Sequence, residues 1–490
     1  MSNFQTLNDE LIEITHQGID RIKQYDNVYT EETKPIDSNK RDWSGWNLGS
    51  IWISILFSIP GYMLVSGFIA SGMSWKQALL VVLLGHGLVV GITVVLGHFG
   101  TKYGLSYTLV SKMTFGPKGN VLPTMIRALL GSLWFALQCW IGGTALSSLI
   151  GGIIPAWNSV GPRYIICFFT FLGMNILIAK KGLKAIKVLS SYAMPLLVCI
   201  GVATVVWAYK IAGGFGAIFT HQAAMGSNIN FAKLFIPALT AAMAIDGTVS
   251  LNMCDFTSHT KSQKEQALGQ LLQIPFAALS VVLISVCGTV ASTIAFGQPI
   301  WSPADIVARF DNPIVVILCS LVILFATTTI NVTANLAPSG IIVSNLWPKK
   351  VSYTKALIGI AAFAVILQPW KMLADPNSYI FEVNGTLATF FGPMQGIYFA
   401  SYWIEHKTNI NLVDVYRNDG GRYYYSDGWN KSAVAILLIT TMVIIAGKFV
   451  PTLRIVFDSS YLFGFIVGMV GYSIFKKSTN EEVYNERKAS

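Results

Sequence analysis

Residues 50–68 read SIWISILFSIPGYMLVSGF, a run without a charged side chain. About 20 apolar residues are needed for a helix to cross the hydrocarbon core of a bilayer, so this run is long enough to span a membrane. Pro60 and Gly61 lie inside it, and a proline in a helix interior removes one backbone hydrogen bond. The stretch therefore predicts a membrane helix that is interrupted near its middle.

Eleven further apolar stretches follow along the chain. The 490 residues are 53% hydrophobic and only 12% charged, whereas soluble globular proteins carry about 25% charged residues. This composition argues against a soluble enzyme, a nucleic-acid-binding protein or a disordered chain, and it predicts an all-α polytopic membrane protein. The 12 predicted transmembrane helices, numbered as spans in chain order, are 50–68, 78–97, 124–150, 164–179, 188–208, 234–252, 269–292, 313–343, 355–369, 378–402, 434–447 and 459–475.

The basic residues are distributed unevenly between the two sides of this arrangement. With the N-terminus in the cytoplasm, 25 of the 34 Lys and Arg fall in cytoplasmic segments and 8 in external loops, and the remaining one is Arg127 in span 3. Cytoplasmic loops of membrane proteins carry such an excess. We therefore predict a multi-pass protein of the cell membrane with both termini cytoplasmic: an N-terminal tail (1–42), a single transmembrane domain (43–475) and a C-terminal tail (476–490).

A second interruption is expected near the centre of span 6, at Ala244-Ile245-Asp246-Gly247. Two interrupted helices five spans apart are what an inverted repeat of five plus five helices would give, and transporters built this way bind substrate at the breaks. Asp246 is also an acid at membrane depth, which is costly and often functional. The alternative is a structural acid paired with a neighbouring helix. Glu382, by contrast, can lie at the external headgroup level.

Polar side chains also cluster in spans 3 and 8. Trp134 and Gln138 are four residues apart and share one helical face. An aromatic face with an amide suits a planar heterocycle, although an interfacial tryptophan and a satisfied amide would give the same pattern. Span 8 carries six polar side chains within residues 326–335, which predicts a face toward a cavity or toward hydrogen bonds between helices. His86 is read as a packed or hydrogen-bonded residue.

No catalytic set accompanies these residues. The sequence has no His/Glu zinc pattern, no phosphate-binding glycine loop and no Ser/His/Asp candidate at membrane depth, and its six cysteines lack metal-ligand spacing. We predict that the chain is not an enzyme. A receptor or channel that binds a ligand without moving it is the alternative from another class, but a channel would show a continuous polar stripe through the bilayer.

Several motifs of one known family occur in the same order along the chain. They are Gly100-Thr101-Lys102-Tyr103-Gly104, Phe115-Gly116, Arg127-Ala128-Leu129, residues 134–143, 252–257, 263–266 and 331–335, Pro369-Trp370-Lys371 and Gly392-Pro393. With these motifs the chain resembles the nucleobase–cation symporter-1 family (the purine/cytosine permeases), and especially its allantoin and hydantoin permease branch. The resemblance implies the leucine-transporter fold, with two inverted five-helix repeats and two C-terminal helices.

The resemblance also implies roles for particular residues. Trp134 and Gln138 fall where members of the family stack on and hydrogen-bond the substrate ring, and Asn335 falls on a substrate-binding asparagine. Ser58 matches a cavity position in span 1, and Asn384 matches an outer-gate position in span 10. Asp246 stands where the allantoin and hydantoin branch has a second stacking tryptophan, so it is predicted to bind an amino or cationic group or a proton.

The sodium site that the resemblance implies is incomplete. Its carbonyls would come from Ser54, Phe57 and Ala326, and its hydroxyls from Thr329 and from the position of Ile330, which has no side-chain oxygen. A hard cation needs about six oxygen ligands, so sodium coupling is predicted to be weakened.

The resemblance implies uptake of a small nitrogen heterocycle of the allantoin/hydantoin or nucleobase class, coupled to a cation by alternating access. The alternative substrate is an amino-bearing or cationic heterocycle coupled to protons through Asp246. We predict the lipid bilayer and the heterocycle as partners, no nucleic acid, and no cofactor apart from co-transported Na+ or H+.

Overall fold

A computed structural model describes residues 4–8, 11–25, 28–29, 33–56, 58–181, 183–225, 229–347 and 350–476. In these ranges the chain is helical apart from loops and one antiparallel hairpin, in which Phe4–Asn8 pairs with Leu11–Ile14. The short helix His16–Lys23 follows the hairpin. The apolar spans predicted from the sequence thus form helices, while the polar N-terminal segment forms a small folded unit of its own.

Each predicted span coincides with one helix or with consecutive helices. Among the described residues, seven helices are long and apolar enough to cross a membrane, or up to nine if two bent pairs each count as one span, and the number twelve remains a prediction. The helices are Gly45–Leu56 and Ile59–Ala70 (span 1), Trp75–Tyr103 (2), Val121–Ile153 (3), Arg163–Lys180 (4), Leu183–Ala212 (5), Phe231–Leu251 (6), Gln263–Leu272 and Ile274–Phe296 (7), Pro313–Ile330, the π-helix Asn331–Leu336 and Ala337–Leu346 (8), Tyr353–Ile366 (9), the π-helix Ser378–Val383, Asn384–Phe399 and the π-helix Ala400–Glu405 (10), Lys431–Phe449 (11) and Ser460–Phe475 (12).

The predicted interruption of span 1 is present in the structure. Ser58 has extended backbone angles, and its hydroxyl oxygen accepts a hydrogen bond from the Gly61 amide at 3.3 Å, so it caps the second half of the span. Pro60 occupies the first turn of that half-helix, where the missing N–H of proline costs nothing. Proline and serine therefore begin a new helix here.

The predicted interruption of span 6 at residues 244–247 is wrong. Phe231–Leu251 is one helix through Asp246 and Gly247, and the chain breaks only at Asn252 and Met253, before the short helix Cys254–Thr257. A Cβ atom on Gly247 would lie 2.2 Å from the ring of Phe391. The glycine therefore permits close packing against span 10 and does not end the helix.

The spans pack in two groups. In the first group, spans 1 and 2 contact each other and both contact spans 6 and 7, and spans 3, 4, 8 and 9 form the second group. Span 10 packs on span 6 and on the C-terminal spans 11 and 12. Span 3 of the second group contacts span 6 of the first, and Trp134 on span 3 packs in one buried apolar cluster with residues of spans 1, 2 and 6. The interface between the groups therefore runs along span 3.

The N-terminal segment packs on one end of the helices, which we call the N-terminal face. Arg41 donates to the backbone oxygens of Thr101 (3.0 Å) and Ile12 (3.2 Å). Tyr416, between spans 10 and 11, donates to the backbone oxygen of Thr33 at 2.6 Å. On the same face, Lys112 is only 5% exposed and donates to the backbone oxygen of Tyr416 at 2.9 Å.

The buried position of Lys112, in the short helix Tyr107–Phe115 between spans 2 and 3, predicts a pH dependence of stability. Burial lowers the pKa of the Lys112 ammonium from 10.5 to about 7, and the charge of Asp419 opposes this shift. Between these values the unfolded chain binds more protons than the folded chain, so the free energy of unfolding rises with pH. We expect Lys112→Met to remove a rise on the order of 1 kcal/mol per pH unit. Melting curves of the purified protein from neutral to alkaline pH measure this, with the exposed Lys118→Met as control. An unchanged slope in Lys112→Met would contradict the prediction.

Candidate functional site

Trp134 and Gln138 lie together on span 3 at the interface between the two groups of spans. Both side chains are only 4% exposed. The indole Nε1 of Trp134 and the amide Oε1 of Gln138 have no hydrogen-bond partner among the described residues. Buried polar atoms are nearly always hydrogen-bonded, so this donor and this acceptor, one helical turn apart, mark a place where a polar ligand or water completes the structure.

Span 8 presents Asn335 from a π-helix, Asn331–Leu336, a form that is frequent at functional sites. The Asn335 side chain donates to Asn331 Oδ1 at 3.1 Å, and Asn331 Nδ2 lies 3.4 Å from the backbone oxygen of Phe135 on span 3. Asn331 therefore ties Asn335 to the helix that carries Trp134 and Gln138. From the sequence alone, Asn331 could not be distinguished from the other five polar residues of span 8.

Spans 10 and 1 meet at a residue that the sequence analysis did not select. Tyr379 donates its hydroxyl hydrogen to the backbone oxygen of Pro60, at the interruption of span 1, over 3.1 Å. The predicted gate residue Asn384 is fully buried and donates to the backbone oxygen of Tyr379 at 2.8 Å, while its Oδ1 has no partner among the described residues. Ser58, two residues before Pro60, is 4% exposed. Spacing in the sequence gave no signal for Tyr379, because the contact joins residues 319 positions apart.

Glu382 takes no part in this arrangement. Its carboxylate forms surface ion pairs with Lys448 at 2.9 Å and Arg454 at 3.8 Å, and its side chain is 42% exposed. This agrees with the alternative of a residue at the edge of the span.

The side chain of Asp246 faces away from the other residues that were predicted to bind the substrate. Its side chain is fully buried, and its Oδ2 lies 2.6 Å from Nδ1 of His86 on span 2. The other ring nitrogen of His86 contacts the amide of Gln273 on span 7. The acid thus lies among spans 2, 6 and 7, in agreement with the alternative of an acid paired with a neighbouring helix. The rule that membrane-buried ionisable residues pair with one another could have linked it to His86.

The predicted sodium ligands are only partly covered by the structure. Ala326 is fully buried, and Thr329 is 2% exposed and donates to the backbone oxygen of Phe325 at 2.9 Å, so its oxygen keeps free lone pairs. Phe57 lies outside the described residues. Ser54 belongs to the helix Gly45–Leu56, and its side chain lies outside the described part. Among the described residues, no three His, Cys, Asp or Glu side chains are grouped so that they could hold a metal ion.

Comparison with known proteins places the chain in a family. A family profile described as "Permease for cytosine/purines, uracil, thiamine, allantoin" matches residues 35–468. The chain belongs to the nucleobase–cation symporter-1 family. Among relatives within this family, the allantoin permease of Bacillus subtilis (strain 168) is 31% identical over 464 residues, which cover 92% of this chain and 94% of that protein.

Solved structures show the fold of this symporter-1 family member. The inward-facing conformation of Mhp1 superposes with a TM-score of 0.73 at 20% identity, covering 93% of this chain and 98% of that chain. Mhp1 in a closed conformation with bromovinylhydantoin bound, described as a nucleobase-cation-symport-1 family transporter, superposes with a TM-score of 0.70 at 20% identity, covering 94% and 99%. The chain therefore has the leucine-transporter fold.

These findings confirm the resemblance seen in the sequence. The relatives are permeases, so this symporter-1 family member is a multi-pass membrane transporter and not an enzyme. The prediction of transport over a receptor or a channel is confirmed at the level of the family.

Proposed function

We propose that the protein imports a small nitrogen heterocycle of the allantoin/hydantoin class across the cell membrane, coupled to a cation, with both termini in the cytoplasm. The observation that carries the proposal is the pair of unpartnered buried atoms, Trp134 Nε1 and Gln138 Oε1, next to Asn335 on the facing span. A heterocycle with alternating N–H and C=O groups supplies complementary acceptors and donors, and its flat ring can stack on the indole.

The location of Asp246 favours a neutral ring over a cationic one. Its carboxylate contacts His86, and among the described residues it forms no hydrogen bond or ion pair with Trp134, Gln138 or Asn335. A cationic substrate would need a carboxylate in its own cavity, because a buried charge must be paired. We therefore assign Trp134, Gln138, Asn335, Ser58 and Asn384 to the substrate path and give Asp246 a different role below. The amino-bearing heterocycle remains the second candidate.

We retain the weakened sodium site as part of the proposal. Ser54, Phe57, Ala326 and Thr329 would supply oxygens, and Thr329 keeps free lone pairs for an ion. Ile330 offers no side-chain oxygen at the position of the second hydroxyl, and loss of one ligand from about six weakens binding of a hard cation.

The two groups of spans give the proposed transport a mechanical basis. Substrate at the interface contacts span 3 of one group and the interrupted span 1 of the other. The Tyr379–Pro60 hydrogen bond places span 10 against that interruption, where it can close over the substrate. Binding shifts the population only if substrate and ion hold the closed arrangement more tightly than the open one.

Ligand-dependent melting of the purified protein tests the proposed substrate class. We expect allantoin or hydantoin to raise the melting temperature, because a ligand at 100 times its Kd stabilises the folded state by about 2.7 kcal/mol. The panel adds uracil, cytosine, adenine and thiamine, each in sodium and in potassium, with acetamide as a control that has the amide but no ring. A shift only with cytosine, adenine or thiamine would favour the second candidate, and no shift with any heterocycle would contradict the proposed class.

A further inference from the structure

His86 and Asp246 form a pair that is buried away from solvent. His86 Nδ1 and Asp246 Oδ2 are 2.6 Å apart, and the side chains are 1% and 0% exposed. The rings of Trp52 and His86 pack edge to face, with ring centroids 5.6 Å apart. Spans 1, 2, 6 and 7 thus all contribute to the surroundings of the pair. All four belong to the same group of spans.

Gln273 allows the imidazole to change its protonation. His86 Nε2 lies 3.3 Å from Gln273 Oε1 and 3.1 Å from Gln273 Nε2. A protonated Nε2 can donate to the amide oxygen, and a bare Nε2 can accept from the amide nitrogen. Gln273 also donates to the backbone oxygen of Gln270 at 2.8 Å, which fixes its amide beside the ring. Either state of the imidazole therefore has a hydrogen-bond partner.

The charge of the pair depends on a single proton. With the proton, the two groups are neutral or form a balanced ion pair. Without it, they carry one negative charge in a fully buried place, and Asp246 Oδ1 has no hydrogen-bond partner among the described residues. An isolated buried charge is very costly, so the closed arrangement favours the protonated pair.

The groups that face the pair from the neighbouring spans do not balance that charge. Trp52 on span 1 and Gln273 on span 7 contact His86 and are uncharged. The titratable neighbour is Tyr461 on span 12, which interacts electrostatically with Asp246 and donates to Gln395 Oε1 at 2.8 Å. In the part of the chain that the structure describes, neither His86 nor Asp246 forms an ion pair with a Lys, Arg or second carboxylate.

A row of glutamines leads from the pair to the N-terminal face. Gln263, Gln266, Gln270 and Gln273 follow one another at spacings of three, four and three residues, which places them on one side of a helix. Gln270 donates to Gln266 Oε1 at 2.6 Å, and Gln266 donates to Gln263 Oε1 at 3.2 Å. Amides do not titrate near neutral pH, so the row does not carry the proton. It gives the site a polar side that points toward the N-terminal face.

The opposite side of the pair is hydrocarbon. Toward the other end of spans 2 and 6, the buried neighbours are Ala78, Val82, Leu239 and Ala242, each no more than 6% exposed. The pair therefore has polar side chains toward the N-terminal face and apolar side chains toward the opposite end. The polar side is the cytoplasmic side in the proposed orientation.

We propose that His86 and Asp246 form a proton-binding site that couples transport of the heterocycle to a proton. The inference rests on the proposed function and deepens it by naming the coupling ion and its place. Nδ1–H donates to Oδ2 in both states of the pair. The pair binds one proton at Nε2, beside Gln273 Oε1, from the external solution during the outward-facing stage, and it releases that proton to cytoplasmic water after the change of state. Because proton affinity differs between the two states, the proton gradient biases their populations.

Liposomes containing the purified full chain test the proposal, with radiolabelled allantoin as the probe. If one proton accompanies each substrate, a gradient of one pH unit supports up to about tenfold accumulation. We expect wild-type protein to accumulate allantoin under an inward proton gradient without sodium, and Asp246→Asn to lose that accumulation. Exchange of internal for external allantoin needs no net proton movement, so in Asp246→Asn it should change less than about threefold.

The control and the second variant separate coupling from folding. Thr93 Oγ1 and Ser250 Oγ are 2.5 Å apart and join the same two spans without a titratable group, so Thr93→Val should keep proton-driven accumulation. His86→Gln retains hydrogen-bonding capacity but removes the imidazole that takes up the proton, and it leaves Asp246 protonated because an unpaired buried charge is costly. A pH-indicator dye should therefore report about one proton taken up per allantoin bound by wild type and none by this variant. That dye measurement decides the question if Asp246→Asn fails to fold.

The outcomes distinguish this inference from the function on which it rests. Accumulation that follows only a sodium gradient, or that survives in Asp246→Asn, would overturn the proton site and leave the transport function intact. If wild-type protein neither accumulates nor exchanges any heterocycle of the panel under either gradient, this result would contradict both the proposed function and the coupling site.

Discussion

Replacing Gln138 by leucine is expected to weaken allantoin binding by about 10- to 100-fold, while the protein stays folded in the membrane. Gln138 Oε1 is buried without a partner, so in the empty protein nothing in the described structure depends on it. A bound heterocycle would lose its hydrogen bond in the variant and leave its own N–H buried and unsatisfied, which costs about 1–3 kcal/mol.

The measurement compares the concentration of allantoin that gives half of the maximal melting shift in wild type and in Gln138→Leu. Ser132→Ala is the matched control, because Ser132 lies on the same helix and is 2% exposed. Its hydroxyl already donates a hydrogen bond to the backbone oxygen of Ala128 at 2.8 Å. Equal affinities in wild type and Gln138→Leu would place the substrate elsewhere. A loss of thermal stability without ligand would mean that Gln138 is structural.

The sequence was sufficient to predict the architecture, because hydropathy is a local property. The twelve predicted stretches all coincide with helices, and the break in span 1 follows from Ser58 and Pro60, whose effects on the backbone act within one turn. Some helices are longer than the predicted spans, because polar residues at their ends are also helical. The helix of span 2, for example, begins at a capping box between Ser74 and Gln77 and ends at Gly104, whose φ is +66°.

The partners of the site residues could not be predicted, since they lie far apart along the chain. Asp246 contacts His86 160 residues away, and periodicity within one helix contains no information on which helix faces it. The expected break at Gly247 is wrong for the same reason. A glycine in a membrane helix permits either a bend or close packing, and only the position of Phe391 decides between them.

Replacing Arg127 by methionine is expected to destabilise the protein by about 3–5 kcal/mol, as removal of one partner from a buried charged network usually does. Arg127 on span 3 is 1% exposed, and its Nε donates to Asn252 Oδ1 at 3.2 Å, directly after span 6. Asn252 donates to Asp255 Oδ2 at 3.2 Å, and Asp255 Oδ1 accepts from the Tyr107 amide at 2.8 Å. The network therefore links the two groups of spans, which must move relative to each other during transport.

The destabilisation should grow as pH rises. Burial raises the pKa of Asp255, which lies in the loop after span 6, while hydrogen bonds from Tyr107 and Asn252 and the charge of Arg127 lower it. Without Arg127 the pKa of Asp255 rises further. A carboxyl group with a higher pKa in the folded state than in the unfolded state binds more protons when folded, so stability falls as pH rises from its ordinary value of 3.8 through the folded value.

Melting curves from acidic to neutral pH measure this effect in wild type, Arg127→Met, Asp255→Asn and the double variant. Asp255→Asn removes the titrating group, so the double variant should lose the added pH dependence and recover part of the stability, because directly coupled residues are not additive. Arg454→Met is the control: Arg454 is 42% exposed and pairs with Asp458 at the surface, where an ion pair contributes about 0–1 kcal/mol. If Arg127→Met were as mild as this control, or equally destabilised at every pH, Arg127 would not stabilise the Asp255 carboxylate. Other residues would then have to link the two groups of spans.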